Sequence, residues 1–428
     1  MTPQVGVNVV CAVLPGHVEP LRGVLGQIGQ RPADNAVIPF GRLEGVHFAR
    51  LLLLDQTTGL DGVPIPAQLI LMADLDAPLQ TRLAELVDAA GPGLDAVFGH
   101  CAGYPGCDAI TRQARLAFLR GHLAASDAHY TNTIGRTVRQ IRQEARLREA
   151  IEGFLDTGAR WSGQGPAQVR AAIQDVVGAD PELAWASSPA DERDLAWRLR
   201  ELVWLVLVPL LALVVALVLL PLVVLVLAVF VVALRWHELR EPLATEKPTP
   251  EHNRELAAIE DHGPQNQFSV VGFVKPSRFR HFTIRVVLFL TDYGARHLFN
   301  HANLAGVKTI HFARWLPIDG RRRMIFASNY DGSLESYMDD FIDKVWWGLN
   351  ATFSSGQGYP RTDFLLFGGS RDELAFKHIL RLRQVPTQVW YSAYERLTAL
   401  NIENNARIRA GLNGPMSPAD AARWLALL

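Results

Sequence analysis

Between residues 202 and 234 the alternation of polar and apolar positions stops. The run LVWLVLVPLLALVVALVLLPLVVLVLAVFVVAL holds 33 successive residues without a charge, an amide or a hydroxyl. A stretch apolar on every side for that length reads as a membrane segment rather than as the core helix of a soluble domain. As one straight helix it would be roughly 50 Å long, well beyond the roughly 30 Å of hydrocarbon it has to cross. Pro209 and Pro221 interrupt it. Two arrangements follow: one long tilted or kinked span, or a proline-turned hairpin that enters and leaves on the same side. The flanks, 191–201 and 235–247, are similarly mixed in sign and set no orientation.

On either side of this segment the pattern repeats itself. NVVCAVLPG at 8–16 matches FSVVGFVKPS at 268–277, and GVHFARLLLLD at 45–55 matches KTIHFARWLPID at 308–319. LILMADLDAP at 69–78 matches RMIFASNYDGS at 323–333, and Gly-Tyr-Pro occurs at 103–105 and again at 358–360. HYTNTIGRTVRQIRQEARLR at 129–148 lines up with VWYSAYERLTALNIENNARIR at 389–409. Five ordered matches at nearly constant offset indicate an internal duplication.

Each copy predicts the same elements. In the first they are a strand at 7–14, a helix at 17–29, strands at 45–54 and 67–73, a helix opened by Asp76 and Pro78, and a helix near 109–123. A short strand near 128–134 and a long helix over 136–155 complete it. The second copy predicts strand 268–274, helix 282–300, strands 308–317 and 323–329, a helix from Ser333, helix 371–383, strand 387–393 and helix 396–410. The core order is strand, helix, strand, strand, helix, strand. That is an α+β fold of two ferredoxin-like repeats, whose open sheet faces are expected to pair into a closed or nearly closed barrel. The boundaries expected are 1–156 for the first repeat, 157–200 for a linker, 201–235 for the membrane segment, 236–266 for a second linker, 267–412 for the second repeat and 413–428 for a tail. Repeats that pair within one chain must lie on one side of the bilayer, which favours the hairpin; pairing with a second chain in a homo-oligomer is the alternative.

Composition adds limits. A net charge of -1 with scattered arginines offers nothing general to nucleic acid. The start, MTPQVGVNVVCAVLPG, lacks a secretory signal, so the apolar segment is expected to act as its own insertion signal. Three cysteines, Cys11, Cys101 and Cys107, fit a reducing compartment better than a disulfide framework.

Candidate chemistry begins with the two HFAR tetrads, His47 with Arg50 and His311 with Arg314. A histidine facing a cavity between sheets suits a metal or haem ligand or a general base; one on a central strand equally suits a core residue bonded to Asp76 or Asp331. Asp331 and Ser333 read as helix-opening residues, and Asp339, Asp340 and Asp343 as a solvated helix face or a hard-cation site. Tyr359 of the second Gly-Tyr-Pro is expected to reach the space between the sheets. The second copy is the richer in aromatics (Trp315, Tyr330, Tyr337, Trp346, Trp347, Phe353, Trp390, Tyr391), which suggests an aromatic-lined cavity for a flat cofactor or an apolar substrate from the membrane. Trp346 and Trp347 also suit anchoring at headgroup level.

At the HFAR strand, the SNYDGS turn and the order of elements, the chain resembles the dimeric α/β-barrel superfamily, over roughly 290 residues. That superfamily includes haem-dependent dye-decolorising peroxidases, chlorite dismutase-like proteins and small monooxygenases. The GxxDG pattern of the peroxidases is not matched, since YDGS at 330–333 shares only its Asp-Gly. The resemblance implies a membrane-anchored oxidoreductase, with haem, acting on an apolar small molecule between the repeats. His311, Arg314, Asp331 and Tyr359 would be its catalytic candidates, and His311 and Trp315 would hold the cofactor. The competing reading is a non-catalytic scaffold or binding protein at the lipid bilayer.

Overall fold

The computed structural model describes residues 4–106, 110–157, 161, 163–188, 195–242, 247–299 and 301–428, without the side chains of 196 and 198. Cys107 lies outside the described residues.

The first unit runs β1 (Gln4–Ala12), α1 (Val18–Gln30), β2 (Val46–Leu54), β3 (Gln68–Asp76), α2 (Leu79–Phe98), α3 (Arg112–Gly121), β4 (Ala128–Thr131) and α4 (Val138–Asp156). The stretch read as a linker carries α5 (Pro166–Ala179). It packs with α4 and the C-terminal helices around Ile173, Ile408 and Trp424 in a small third core. The apolar stretch is helical apart from Leu219. Helix α6 (Leu195–Leu202) leads through a π turn at Val203–Leu207 into α7 (Val208–Val218), and α8 (Leu220–Arg240) follows. By length and composition, Leu199–Val218 and Leu220–Arg240 are each sufficient to cross a membrane. After α9 (Pro250–Ala257) the second unit runs β5 (Gln265–Phe273), α10 (Arg278–His297), β6 (Ile310–Ile318), β7 (Arg323–Asp331), α11 (Leu334–Phe353), α12 (Glu373–Arg383), β8 (Val389–Ser392) and α13 (Ala399–Gly411). The tail forms α14 (Pro418–Leu425).

The strands make two four-stranded antiparallel sheets, ordered β1-β3-β2-β8 and β4-β6-β7-β5. Each takes its outer strand from the other unit: β8 pairs with β2, and β4 with β6. All nine residues of β2 and of β3 are buried, because both faces are covered. Helices cover one face in each unit, giving cores around Leu21, Leu25 and Phe98 in the first and around Phe268, Leu288 and Phe376 in the second. The opposite faces meet through Leu52, Ile70 and Met72 against Leu316, Ile325 and Ala327.

The expected barrel is not formed. The chain leading to each exchanged strand touches the opposite sheet at a single bridge, Val9 with Leu123 and Val270 with Gln384. Residues 124–127 and 385–388 then belong to no strand before β4 and β8 begin. No continuous ladder joins the edges, so both sheets are open.

Candidate functional site

Both central strands are bulged at the histidine. The pairing of β2 with β3 shifts between Val46 and Phe48, and that of β6 with β7 between Ile310 and Phe312. A bulge inserts one residue and breaks the alternation of faces. Simple alternation places His311 with Ala313 and Trp315, but its ring lies 5.3 Å from that of Phe48, on the side where the sheets meet. There His311 Nε2 donates to Asp331 Oδ1 at 2.7 Å, and His47 Nε2 to Asp76 Oδ1 at 3.0 Å. The second oxygen of each aspartate accepts from the first amide of a helix: Val138 N to Asp76 and Ala399 N to Asp331. Each carboxylate thereby faces the positive end of a helix dipole, and each His–Asp pair ties a central strand to the helix after the exchanged strand. His47 is satisfied at both nitrogens, because the Tyr394 hydroxyl donates to Nδ1.

The two arginines cross between the sheets in matching ways. Arg314 donates to Val7 O, Asn8 Oδ1, Ala73 O and Asp74; Arg50 donates to Phe268 O, Ser269 Oγ, Ser328 O and Asn329. Among these partners the two units differ at two positions, with Asn8 against Ser269 and a change of charge at Asp74 against Asn329. Asp74 also accepts from His129 Nε2, where Asn329 accepts from the Trp390 indole. Burial pushes Asp74 up, but Arg314, His129 and Arg50 together outweigh it and hold the carboxyl below its ordinary range. Arg50, with no carboxylate of its own, is pushed down to about 9 by burial and by Arg314. The space these groups leave is about 10 Å³, no more than a single water occupies. The inter-sheet region is thus filled rather than open to a substrate.

Tyr359 does not reach that region. Its hydroxyl donates to Asn350 Oδ1 on α11 at 2.9 Å, as Tyr104 does to Asp95 on α2. Asn350 in turn donates to Leu366 O and Gly368 O and fixes the loop after Tyr359. Asp339 and Asp340 of the acidic group on α11 are also engaged. Asp340 pairs with Lys344 at 2.5 Å, and the Lys377 ammonium sits among Glu335, Asp339 and Glu373. Those three carboxylates are the one metal-competent cluster among the described residues, and a lysine already occupies its centre.

A predominantly apolar space lies on the other side of the second sheet. A cavity of about 350 Å³ is enclosed by that sheet, α10, α11 and the 365–366 loop. Trp315, Phe326, Tyr337, Met338 and Phe353 form its walls, and Leu290, Trp347 and Leu366 stand at its rim, exposed. Of the predicted site residues only Trp315 reaches it. His311, Arg314 and Asp331 lie on the opposite face and Tyr359 behind α11. The aromatic bias of the second copy did point here through Trp315, Tyr337, Trp347 and Phe353. The contribution of α10, through Val287, Leu290 and Ala295, was not read from the sequence.

The chain matches no protein family, and no curated protein or solved structure is significantly similar to it. Fold and site define an α+β chain with two open four-stranded antiparallel sheets, consistent in a general way with a duplication, and an apolar cavity in its second unit. The resemblance to the dimeric α/β-barrel superfamily is overturned by the open sheets and by the absence of any match. The haem assignment falls with it. His311 is 2% exposed and bonded to Asp331, it faces no space that could take a macrocycle, and no haem-type ligand set is found among the described residues.

Proposed function

We propose that this protein is a membrane-anchored binding protein that holds an apolar small molecule in the cavity of its second unit. In this reading the units are two ferredoxin-like repeats paired sheet to sheet, and the apolar helices hold them at the bilayer. The observation that carries the proposal is the cavity itself. Its volume is in the range of small-molecule sites, its walls are apolar and aromatic, and its rim is built from exposed apolar side chains. In the first unit the positions matching Trp315 and Phe326 are Leu51 and Leu71, both buried in the helix-side core. An apolar occupant gains by leaving water; the indole N–H of Trp315 and the hydroxyls of Tyr130 and Tyr337, buried without partners among the lining residues, are free to meet an acceptor on it.

The histidines and arginines that suggested oxidoreductase chemistry are engaged in holding the sheets and helices together, which supports binding over catalysis. The test is photocrosslinking of the full-length protein in vesicles with a diazirine-bearing fatty acid. Crosslinks on peptides from 310–353 are expected, and Ala295→Trp, which fills the cavity, should suppress them while those on 202–234 persist. Crosslinking confined to 202–234 in the unaltered protein would overturn the reading.

A further inference from the structure

Both ends of the apolar helix pair return to one helix, α10. At the start of the first arm, the Tyr293 hydroxyl donates to Trp204 O, the Trp204 indole stacks on His297 at 5.6 Å, and Glu201 pairs with His297 at 2.9 Å. On the second arm, Phe230 and His237 pack against Phe279 at 5.3 and 4.9 Å. Glu241 then clamps Arg280 through bonds of 2.7 and 2.6 Å. On α10, Phe279 and Tyr293 are about 21 Å apart, whereas Trp204 and Phe230 would be about 39 Å apart on a straight helix. The chain therefore bends sharply between them. The bend falls at Leu219, with φ −98° and ψ 21°, just before Pro221. Leu219 N still reaches Val215 O, and Val223 N reaches Leu219 O, so few backbone groups are left open at the turn.

The result is a wide V with α10 as its base. Phe282, Val286 and Phe289 fall between Phe279 and Tyr293 at spacings of three and four, so they share one face of α10 and look into the V. They are nonetheless bare: Phe282 is 59% and Phe289 68% exposed. From Trp204 to Leu219 is about 22 Å, and from Leu219 to Phe230 or His237 about 16 to 27 Å. With the base of about 21 Å, the apex stands about 16–22 Å from α10, short of the roughly 30 Å of hydrocarbon in a bilayer.

We propose that the V is a re-entrant wedge that occupies one leaflet without crossing the membrane, and that lipid acyl chains fill the opening between its arms and α10. The distribution of residues favours lipid over another protein. The apex is built of Leu, Val and Pro, while Glu201 and Trp204 on one arm and Arg235, Trp236 and Arg240 on the other sit at the base. There Arg240 lies 4.6 Å over the Trp236 ring, as expected at a water–lipid boundary. The loop bearing Phe364 and Phe367 is held at the same level, because Glu238 accepts from Phe364 N and Leu365 N. The rim of the cavity then faces lipid, which names its source of ligand.

This inference rests on the membrane anchoring proposed above but not on occupancy of the cavity. The test uses full-length protein in phosphatidylcholine–phosphatidylglycerol vesicles, with Cys107→Ser as background and nitroxide labels at Leu220→Cys or Phe289→Cys. Leu220→Cys should resist membrane-impermeant maleimide from both sides and report a depth near the bilayer centre. Phe289→Cys should be open to oxygen and closed to an aqueous nickel chelate. Labelling of Leu220→Cys from the side opposite the folded units would mean a crossing and overturn the wedge. Nickel access at Phe289→Cys, or spin–spin broadening there that disappears on dilution with unlabelled protein, would overturn the lipid filling in favour of water or a second copy. Release of the unmodified protein by alkaline carbonate would instead refute anchoring itself.

Discussion

Asp74 is the only carboxylate between two arginines that cross the sheet interface, and its removal is the sharpest test of what holds the two units together. Asp74 and Arg314 are each 3% exposed, so neither can recover water when its partner is lost. Asp74→Asn keeps the shape of the side chain but leaves Arg50 and Arg314 buried without a negative charge, and it weakens the bond to His129. Breaking a buried pair in this way costs about 3–5 kcal/mol. Replacing both partners, Asp74→Leu with Arg314→Met, should cost less than the sum of the two single changes, because no unpaired charge remains from that pair. Urea unfolding in mild detergent, followed by tryptophan fluorescence, measures each variant. The pH dependence has a definite sign. The folded-state value of Asp74 is depressed, so its contribution is present above the ordinary carboxylate value and is lost as pH falls through the lower folded value. The acid limb of the stability profile below about pH 4 should therefore flatten in Asp74→Asn. A cost under about 1 kcal/mol for Asp74→Asn, with an unchanged acid limb, would refute the view that this charge organises the interface.

Three further outcomes are expected. Lys377→Met should leave Glu335, Asp339 and Glu373 facing one another and create a divalent-cation site absent from the unaltered protein, read as sensitised terbium luminescence displaced by calcium. Asp331→Asn should cost about 1–3 kcal/mol and speed amide exchange at Ala399, since one carboxylate serves both His311 and the start of α13. Gly93→Ala should destabilise the first unit by more than about 2 kcal/mol in the same urea assay, because an added Cβ would lie 1.6 Å from the Val37 carbonyl oxygen.

Much of this architecture is legible in the residues. The offset between the HFAR tetrads, the two Gly-Tyr-Pro turns and the paired aspartates at 76 and 331 declares a duplication, because each copy must satisfy the same local rules of strand, bulge and helix start. The 33 uncharged residues declare an apolar membrane-type segment for an equally local reason, that nothing in them can be solvated, but one long span and a hairpin both fitted them, and the division into two helices is seen in the structure. The histidine orientation was not legible. A bulge changes which face a side chain takes, and it is set by pairing with residues of the next strand, such as Val46 with Leu75 and Ile310 with Tyr330, beyond any local window. Nor was Tyr359 legible, since its partner Asn350 is brought near only by the packing of α11 against the following loop.

What the amino-acid sequence determined by itself is what depends on neighbours along the chain: the elements, their repetition, the apolar segment and the aromatic bias of the second half. The tertiary structure decided what depends on distant contacts. It exchanged β4 and β8 between the units, stopped the sheets short of closure, filled the space between them with Arg50, Arg314 and Asp74, and moved the open cavity to the far side of the second sheet. Strand exchange and cavity position are balances of packing over the whole fold, and no short window of residues carries that information.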